Sequence, residues 1–248
     1  MADTIIQMKN VSKTYSMGET KLPVIKGLDL EVNRGELVAI MGRSGSGKST
    51  LLNLIAGLET VNTGIIRVDS VEVSTLKSKD KVLFRRDNLG IIYQFFNLVP
   101  SLTVEENITL PFLISGERNG NIKARLEEVL DFTGMHKRRQ HLPTHLSGGE
   151  MQLVSIARAL IRKPKVILAD EPTGNVNLET GKLIMTKLRE VTRQETCSVL
   201  LVTHSPEDAS WADRIVFLKD GRIEAKNSLK QGETDATHIY NRLKKLGI

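Results

Sequence analysis

The stretch that decides the fold is Gly42-Arg43-Ser44-Gly45-Ser46-Gly47-Lys48-Ser49-Thr50. It fits G-x-x-x-x-G-K-[ST], a glycine-rich turn between a strand and a helix whose backbone N–H groups face phosphate. The flanks agree. Residues 37–41 are an apolar run of buried-strand length, and residues 50–58 read as a helix with Leu51, Leu52, Leu54 and Ile55 apolar. The glycines let the amides turn inward as an anion nest, and the helix dipole adds partial positive charge there. Lys48 is spaced to reach β- and γ-phosphates, and the Ser49 hydroxyl to ligate Mg²⁺. An ordinary Gly/Ser turn does not need Lys-Ser at this offset behind a buried strand.

Two further apolar runs end in polar residues. Residues 166–169 lead into Asp170-Glu171, and residues 199–202 into Thr203-His204. In an open parallel sheet the C-terminal strand edge is where ligands bind, so all three runs point at one nucleotide site. Asp170 is expected to hold Mg²⁺, and Glu171 to orient or deprotonate the attacking water, because adjacent residues at a strand end point different ways. His204 is placed to hydrogen-bond the γ-phosphate. Gln94, at the end of a strand predicted over 89–93, can ligate Mg²⁺ or touch the water. Ser147-Gly148-Gly149 opens another predicted helix and forms a second anion nest. If both nests cannot reach one nucleotide, the second serves another copy, which predicts an isologous dimer with two composite sites.

Around these motifs the opening third reads as β-rich. Strands are predicted over 5–11, 28–32, 64–68 and 71–73, with Tyr15 in a polar loop. The turn Asn33-Arg34-Gly35 is expected to join 28–32 and the P-loop strand as a hairpin. Residues 74–88 read as helical. Thr103-Val104-Glu105-Glu106 matches a capping box, and Pro111 is expected to kink or end the helix that follows. A turn over 116–121 then leads to an amphipathic helix marked by Ile122, Leu126, Val129 and Leu130. Residues 103–145 therefore look like a helical subdomain. Later come a helix over 179–194, a helix capped by Ser205-Pro206, a hairpin about Asp220-Gly221, and a short amphipathic helix marked by Ile239, Tyr240, Leu243 and Leu246.

The 248 residues suit one large α/β domain with a subdomain. No apolar run reaches the length of a membrane span, and the N-terminus has no signal-peptide pattern. One cysteine, Cys197, excludes an internal disulfide and fits a reducing cytosol. The net charge of +6 is spread over several clusters, and only 4% of residues are aromatic. No aromatic interleaves with the basic clusters, which argues against a nucleic-acid partner. Contact with an anionic membrane surface is the sharper reading of the charge.

With these residues in hand, the chain resembles the nucleotide-binding subunit of ATP-binding cassette (ABC) transporters over about residues 4–224. Tyr15 matches the adenine-stacking position. Gly42 to Thr50 match the P-loop, and Leu146-Ser147-Gly148-Gly149-Glu150 match the family signature. Gln94, Asp170, Glu171 and His204 match its remaining site positions. The resemblance implies an α/β P-loop NTPase fold: a RecA-like parallel core, an antiparallel β subdomain and a helical subdomain at about 95–160, with 225–248 as an extension. It implies an ATPase using ATP and Mg²⁺, with Glu171 as base and His204 as switch. ATP would be sandwiched between one copy's P-loop and the other's Ser147 and Gly149.

The segments 95–100, 102–107 and 169–175 are similar to the lipoprotein-release and macrolide-export group. That likeness implies a cytoplasmic subunit, peripheral on the inner face of the cell membrane, serving an FtsX/MacB-like integral-membrane permease. A division-type regulatory ATPase is the alternative; a DNA-repair or translation ABC protein needs a longer insertion than Gln94 to Ser147 allows. The chain departs from the family pattern at Asn177, where aspartate is usual, and at Leu153, where arginine is usual. Loss of that arginine is expected to remove a charge near the dimer interface or γ-phosphate. The tail beyond 225 is a third departure.

Overall fold

The computed structural model describes residues 3–117, 121–193, 197–224, 228–230 and 232–248. The first two strands, β1 (Thr4–Met17) and β2 (Thr20–Asn33), pair antiparallel. Then come β3 (Leu37–Met41), α1 (Lys48–Ile55), β4 (Thr63–Val68), β5 (Val71–Glu72), α2 (Ser78–Asn88) and β6 (Leu89–Ile92). Helices α3 (Val104–Ser115), α4 (Ile122–Thr133) and α5 (Gly148–Leu160) follow. The chain closes with β7 (Val166–Asp170), α6 (Leu178–Arg193), β8 (Ser198–Thr203), α7 (Pro206–Ala209), β9 (Arg214–Lys219), β10 (Arg222–Ile223), β11 (Leu229–Lys230) and α8 (Ala236–Leu246).

Among the described residues these strands make two sheets. One is antiparallel, in the order β2-β1-β4-β5. The other runs β10-β9-β3-β8-β7-β6, with β11 also on β9, and its strands β9, β3, β8, β7 and β6 are parallel. Successive side chains on a strand point to opposite faces, and here that period divides the core. Leu37, Ala39 and Met41 of β3 face a cluster built with α3–α6 and α8. Val38 and Ile40 face a cluster built with α1 and the antiparallel sheet. Strands β7 and β8 divide in the same way. Covering on both faces is why these strands read as continuous apolar runs rather than alternating ones.

Four expectations need correction. Residues 28–32 and 37–41 do not form a hairpin: β2 pairs with β1, while β3 lies between β8 and β9. The turn between them switches the chain from one sheet to the other. Strand β1 is longer than predicted and includes Tyr15, because Tyr15 pairs opposite Leu22. Pro111 does not end its helix. Thr103 caps α3 with a full capping box, and Val104, Asn107 and Ile108 bury its first turns, which carry the helix past the proline to Ser115. Tyr240 is 63% exposed, so the apolar face of α8 is made by Ile239, Leu243 and Leu246 alone.

The parts of the predicted 116–121 turn and 179–194 helix at residues 118–120 and 194 lie outside the described residues. Leu153 is a core residue of α5. It is 7% exposed within the core cluster beside Val154 and Ile156, where an aliphatic side chain is satisfied by packing.

Candidate nucleotide site

The P-loop is held by close backbone approaches. A Cβ on Gly42 would stand 2.3 Å from the Leu218 carbonyl oxygen of β9. Gly47 is the N-cap of α1 with φ 107°, and a Cβ there would strike Ile25 of β2 at 2.8 Å. Only glycine fits either place. The loop is thereby pinned between the end of the parallel sheet and the edge of the antiparallel one.

Lys48 is 8% exposed and donates from Nζ to the carbonyls of Gly42 at 2.7 Å and Arg43 at 3.0 Å. Burial pushes its ammonium pKa down, against the opposing pull of Glu171 and Asp170. The lysine is thus folded across the nest, desolvated and within the field of two carboxylates. The Ser46 hydroxyl is buried with no protein partner. An arriving phosphate oxygen would satisfy both groups, and by that test the nest fits an anion.

A cavity of about 920 Å³ opens over the loop. Gly42, Arg43, Ser44, Gly45, Gly47, Lys48, Ser49 and Thr50 line it, together with Tyr15, Gln94, Glu171 and His204. Residues as distant in sequence as Tyr15 and His204 are therefore brought to one place. Tyr15 stands at the β1–β2 side with Leu22 and Val24, and Lys13 sits 4.8 Å from its ring centroid. Asp170 lies behind the cavity wall, where it accepts a hydrogen bond from Ser49. Burial pushes its pKa up, with the Ser49 hydrogen bond opposing. A hydroxyl and a carboxylate, with the Gln94 amide on the cavity wall, form a hard-oxygen set suited to Mg²⁺ beside phosphate. No cluster of three or more His, Cys, Asp or Glu residues forms a metal cage among the described residues.

Glu171 follows β7 with φ 45°, a left-handed conformation that costs a non-glycine residue about 1–3 kcal/mol. Its N–H still donates to Val202 O at 2.9 Å, so the sheet holds the backbone. The carboxylate meets His204 Nδ1 at 3.0 Å. The two groups expected to act on the water and the γ-phosphate are in direct contact.

Ser147, Gly148 and Gly149 do not line this cavity. Ser147 caps α5, accepts from the Glu150 N–H, and donates from its own N–H to Glu150 Oε2 at 2.8 Å. Arg138 Nε holds the other Glu150 oxygen at 2.8 Å. Asn177, one of the departures from the family pattern, accepts from the Thr180 N–H at 2.9 Å and so stabilises the start of α6.

Several residues of the site were not singled out from the sequence. Leu243 and Ile248, beyond 225, line the cavity. Lys219 Nζ donates to Leu246 O at 2.7 Å and fixes that end of α8. Gln152 is fully buried in α5 and donates to Tyr93 O and Pro172 O. Arg158 donates to Phe96 O at 2.7 Å and Asn97 O at 2.5 Å. Phe96 and Asn97 both have positive φ. Helix α5 is in this way tied to the loops that carry Gln94 and Glu171. The available signal was Gln152 and Arg158, large polar residues set among the apolar positions of α5.

The sequence profile of the ABC transporter family matches residues 25–174. An uncharacterized ABC transporter ATP-binding protein of Mycobacterium tuberculosis is 44% identical over 238 residues, 95% of each chain. The lipoprotein-releasing system ATP-binding protein LolD of Novosphingobium aromaticivorans is 39% identical over 224 residues, 90% of this chain and 100% of its own. Among solved structures, the dimeric post-hydrolysis state of the ATP-binding cassette MJ0796 bound to ADP and Pi is similar with a TM-score of 0.83. It shares 39% identity, covering 91% of this chain and 98% of that one. The chain belongs to the ABC transporter family, as one of its P-loop ATPase cassettes.

Proposed function

We propose that this cassette binds ATP and Mg²⁺, closes with a second copy around two nucleotides, and hydrolyses ATP to move a separate integral-membrane permease of the FtsX/MacB-like kind. Residues 1–224 are the cassette, with a helical subdomain at about 95–160, and 225–248 are an extension. The observation that carries the reading is the distribution of groups. The Lys48 nest, Glu171 and His204 share one cavity, while the Ser147 nest stands outside it. A complete site therefore needs a second Ser147-Gly148-Gly149 from another copy. The solved dimers of MJ0796 support this reading.

In the closed state the nest amides and Lys48 hold the phosphates, and Tyr15 stands beside the base. Ser49, Gln94 and Asp170 would hold Mg²⁺, which neutralises phosphate charge. Glu171 takes the proton of the attacking water as its oxygen bonds to the γ-phosphorus and the bridging oxygen–γ-phosphorus bond breaks, leaving ADP and inorganic phosphate, while His204 donates to the γ-phosphate it faces. The Glu171–His204 contact keeps both groups oriented before nucleotide arrives.

The permease has a candidate seat. A groove of about 660 Å³ runs between α2, α3 and α5, lined by Val82, Leu83, Leu110, Ile114, Arg85 and Arg162 among others. Ile114 is 78% exposed and Val82 54%. Apolar side chains rimmed by arginines suit a short cytoplasmic segment of a membrane protein. The groove also borders Tyr93 and Arg158, so closure at the nucleotide has a path to it. No helix among the described residues is long and apolar enough to cross a membrane. In this reading the cassette works at the cytoplasmic membrane face through its partner.

The test is the solution mass of Glu171→Gln with ATP and with ADP. Monomer with ADP and dimer with ATP is the expected result, together with turnover reduced by about 10²–10⁴-fold. A monomer under both conditions, with ATP bound, would overturn the composite site.

A further inference from the structure

We infer that Asp208 is a positioning residue for hydrolysis: through Thr173 and Thr203 it clamps together the two loops that carry Glu171 and His204. This inference rests on the reading of those two residues as the hydrolytic pair.

Asp208 lies in the short helix α7 and is 8% exposed. One oxygen, Oδ2, accepts from both the Thr173 hydroxyl and the Thr203 hydroxyl, the latter at 3.4 Å. Thr173 lies two residues after Glu171, and Thr203 immediately before His204. Thr203 Oγ1 also accepts from the Ser205 N–H at 3.0 Å, and Ser205 Oγ accepts from the Asp208 N–H at 3.2 Å. The ring of contacts closes on itself and holds the His204 loop at both ends.

A buried carboxylate is costly unless its lone pairs are used, so a site that keeps one is strongly ordered around it. Here the order falls on the strand ends that set the 3.0 Å Glu171–His204 contact. Glu171 stands in a left-handed conformation, which persists only where its surroundings over-determine it. Thr173, anchored to Asp208, supplies one such restraint just downstream. Asp208 does not line the nucleotide cavity, so it acts on the chemistry through the Thr173 and Thr203 loops and through its charge near His204 rather than by touching the nucleotide.

Because a single oxygen receives both hydroxyls, Asp208→Asn can present its carbonyl oxygen in the same place, whereas Asp208→Val cannot. The experiment is steady-state ATP hydrolysis and nucleotide binding of the full chain for Asp208→Asn, Asp208→Val, Thr173→Val and their Asp208→Val/Thr173→Val double variant, with Glu171→Gln alongside. The expected result is a kcat about 10-fold lower for Asp208→Val and for Thr173→Val, with KM and ATP affinity within about 2-fold. The double variant is expected to lose no more than the worse single one, since the residues act as a unit. Asp208→Asn should stay within about 3-fold of the parent kcat.

Equal losses in Asp208→Asn and Asp208→Val, or a fall in melting temperature with kcat intact, would overturn the inference and leave Asp208 a stability residue. If Asp208→Val does not fold, the Thr173→Val and Asp208→Asn pair decides alone, with kcat lowered only in the first as the supporting result. Full turnover in Glu171→Gln would instead refute the reading of the hydrolytic pair, a failure distinguishable from that of the clamp.

Discussion

Two helix N-termini in this chain have the residue types of an anion nest, and they differ in what already occupies their donors. At α1 the N-cap is Gly47, with no side-chain cap and no acidic residue in the first turn. No carboxylate of the helix's own first turn opposes its dipole there, and Lys48 adds a full charge. At α5 the N-cap is Ser147, whose hydroxyl accepts from the Glu150 N–H. Glu150 returns to the Ser147 N–H, and its charge is held by Arg138. The Ser147 and Glu150 N–H groups of that terminus are already partnered within the chain. On the proposed function, the first nest gathers the nucleotide and the second acts on a nucleotide already held opposite. An identical motif logic thus yields a primary and a secondary site according to the local cap.

The sharpest way to break this comparison is a pair of variants. Lys48→Ala should weaken ATP binding by the monomer by about 10-fold or more, measured by titration of a fluorescent analogue. Ser147→Ala should leave monomer binding within about 2-fold but lower turnover about 10-fold. Equal loss of binding in both would mean that the two nests serve one nucleotide within one chain.

A smaller effect separates the glycines. A Cβ on Gly149 would meet Thr180 Cγ2 at 2.4 Å, a side-chain obstacle, whereas one on Gly42 meets the Leu218 backbone oxygen. Gly149→Ala should cost about 1–3 kcal/mol by thermal denaturation, and adding Thr180→Ser should return at least half of it. No side-chain change should rescue Gly42→Ala. Failure of the serine to help would place the strain of Gly149→Ala in the α5 backbone itself.

The smallest effect lies far from both nests and serves as a control. Hydrogen bonds from Lys165 and Arg34 hold the Asp69 carboxyl pKa down at about 2. A carboxylate with a depressed folded-state pKa adds stability above its ordinary value of 3.8, and this is lost as pH falls through the folded value. Asp69→Asn should therefore cost about 1 kcal/mol near neutral pH, after discounting for solvent screening. The gap should close between about pH 4 and pH 2 in acid-unfolding curves. Asn tolerates the positive φ of 54° at this position, so backbone strain does not confound the comparison. A gap that persists at pH 2 would assign the cost to packing.

Much of the site was legible because its chemistry sits at strand ends bounded by apolar runs. Met41, Asp170 and Thr203 end β3, β7 and β8 at one edge, as their registers with Val202 and Thr203 show. Gln94, Glu171 and His204 follow β6, β7 and β8 in the chain. The P-loop, the capping box at Thr103 and the Ser205-Pro206 start are local features whose physics is complete within a few residues. The partnership of β2 was not legible, because an antiparallel alternating strand fits either neighbour and only the sheet-to-sheet packing selects β1. Asp208 was missed because a lone aspartate after a helix start reads as a solvated first-turn charge.

The sequence alone determined that a glycine-rich nest, Asp170 and Glu171 belong to one parallel-sheet edge, because periodicity and turn chemistry are short-range. It also determined that a second nest exists, and the family to which these motifs belong. Only the tertiary structure decided which nest shares a cavity with Glu171 and His204, since that depends on how α5 packs against the loop after β7. It alone placed Leu243 and Ile248 on the wall of the P-loop cavity and Asp208 between the loops that carry Glu171 and His204. Those relations join residues up to hundreds of positions apart, and such contacts are set by the burial of the two cores rather than by any local pattern.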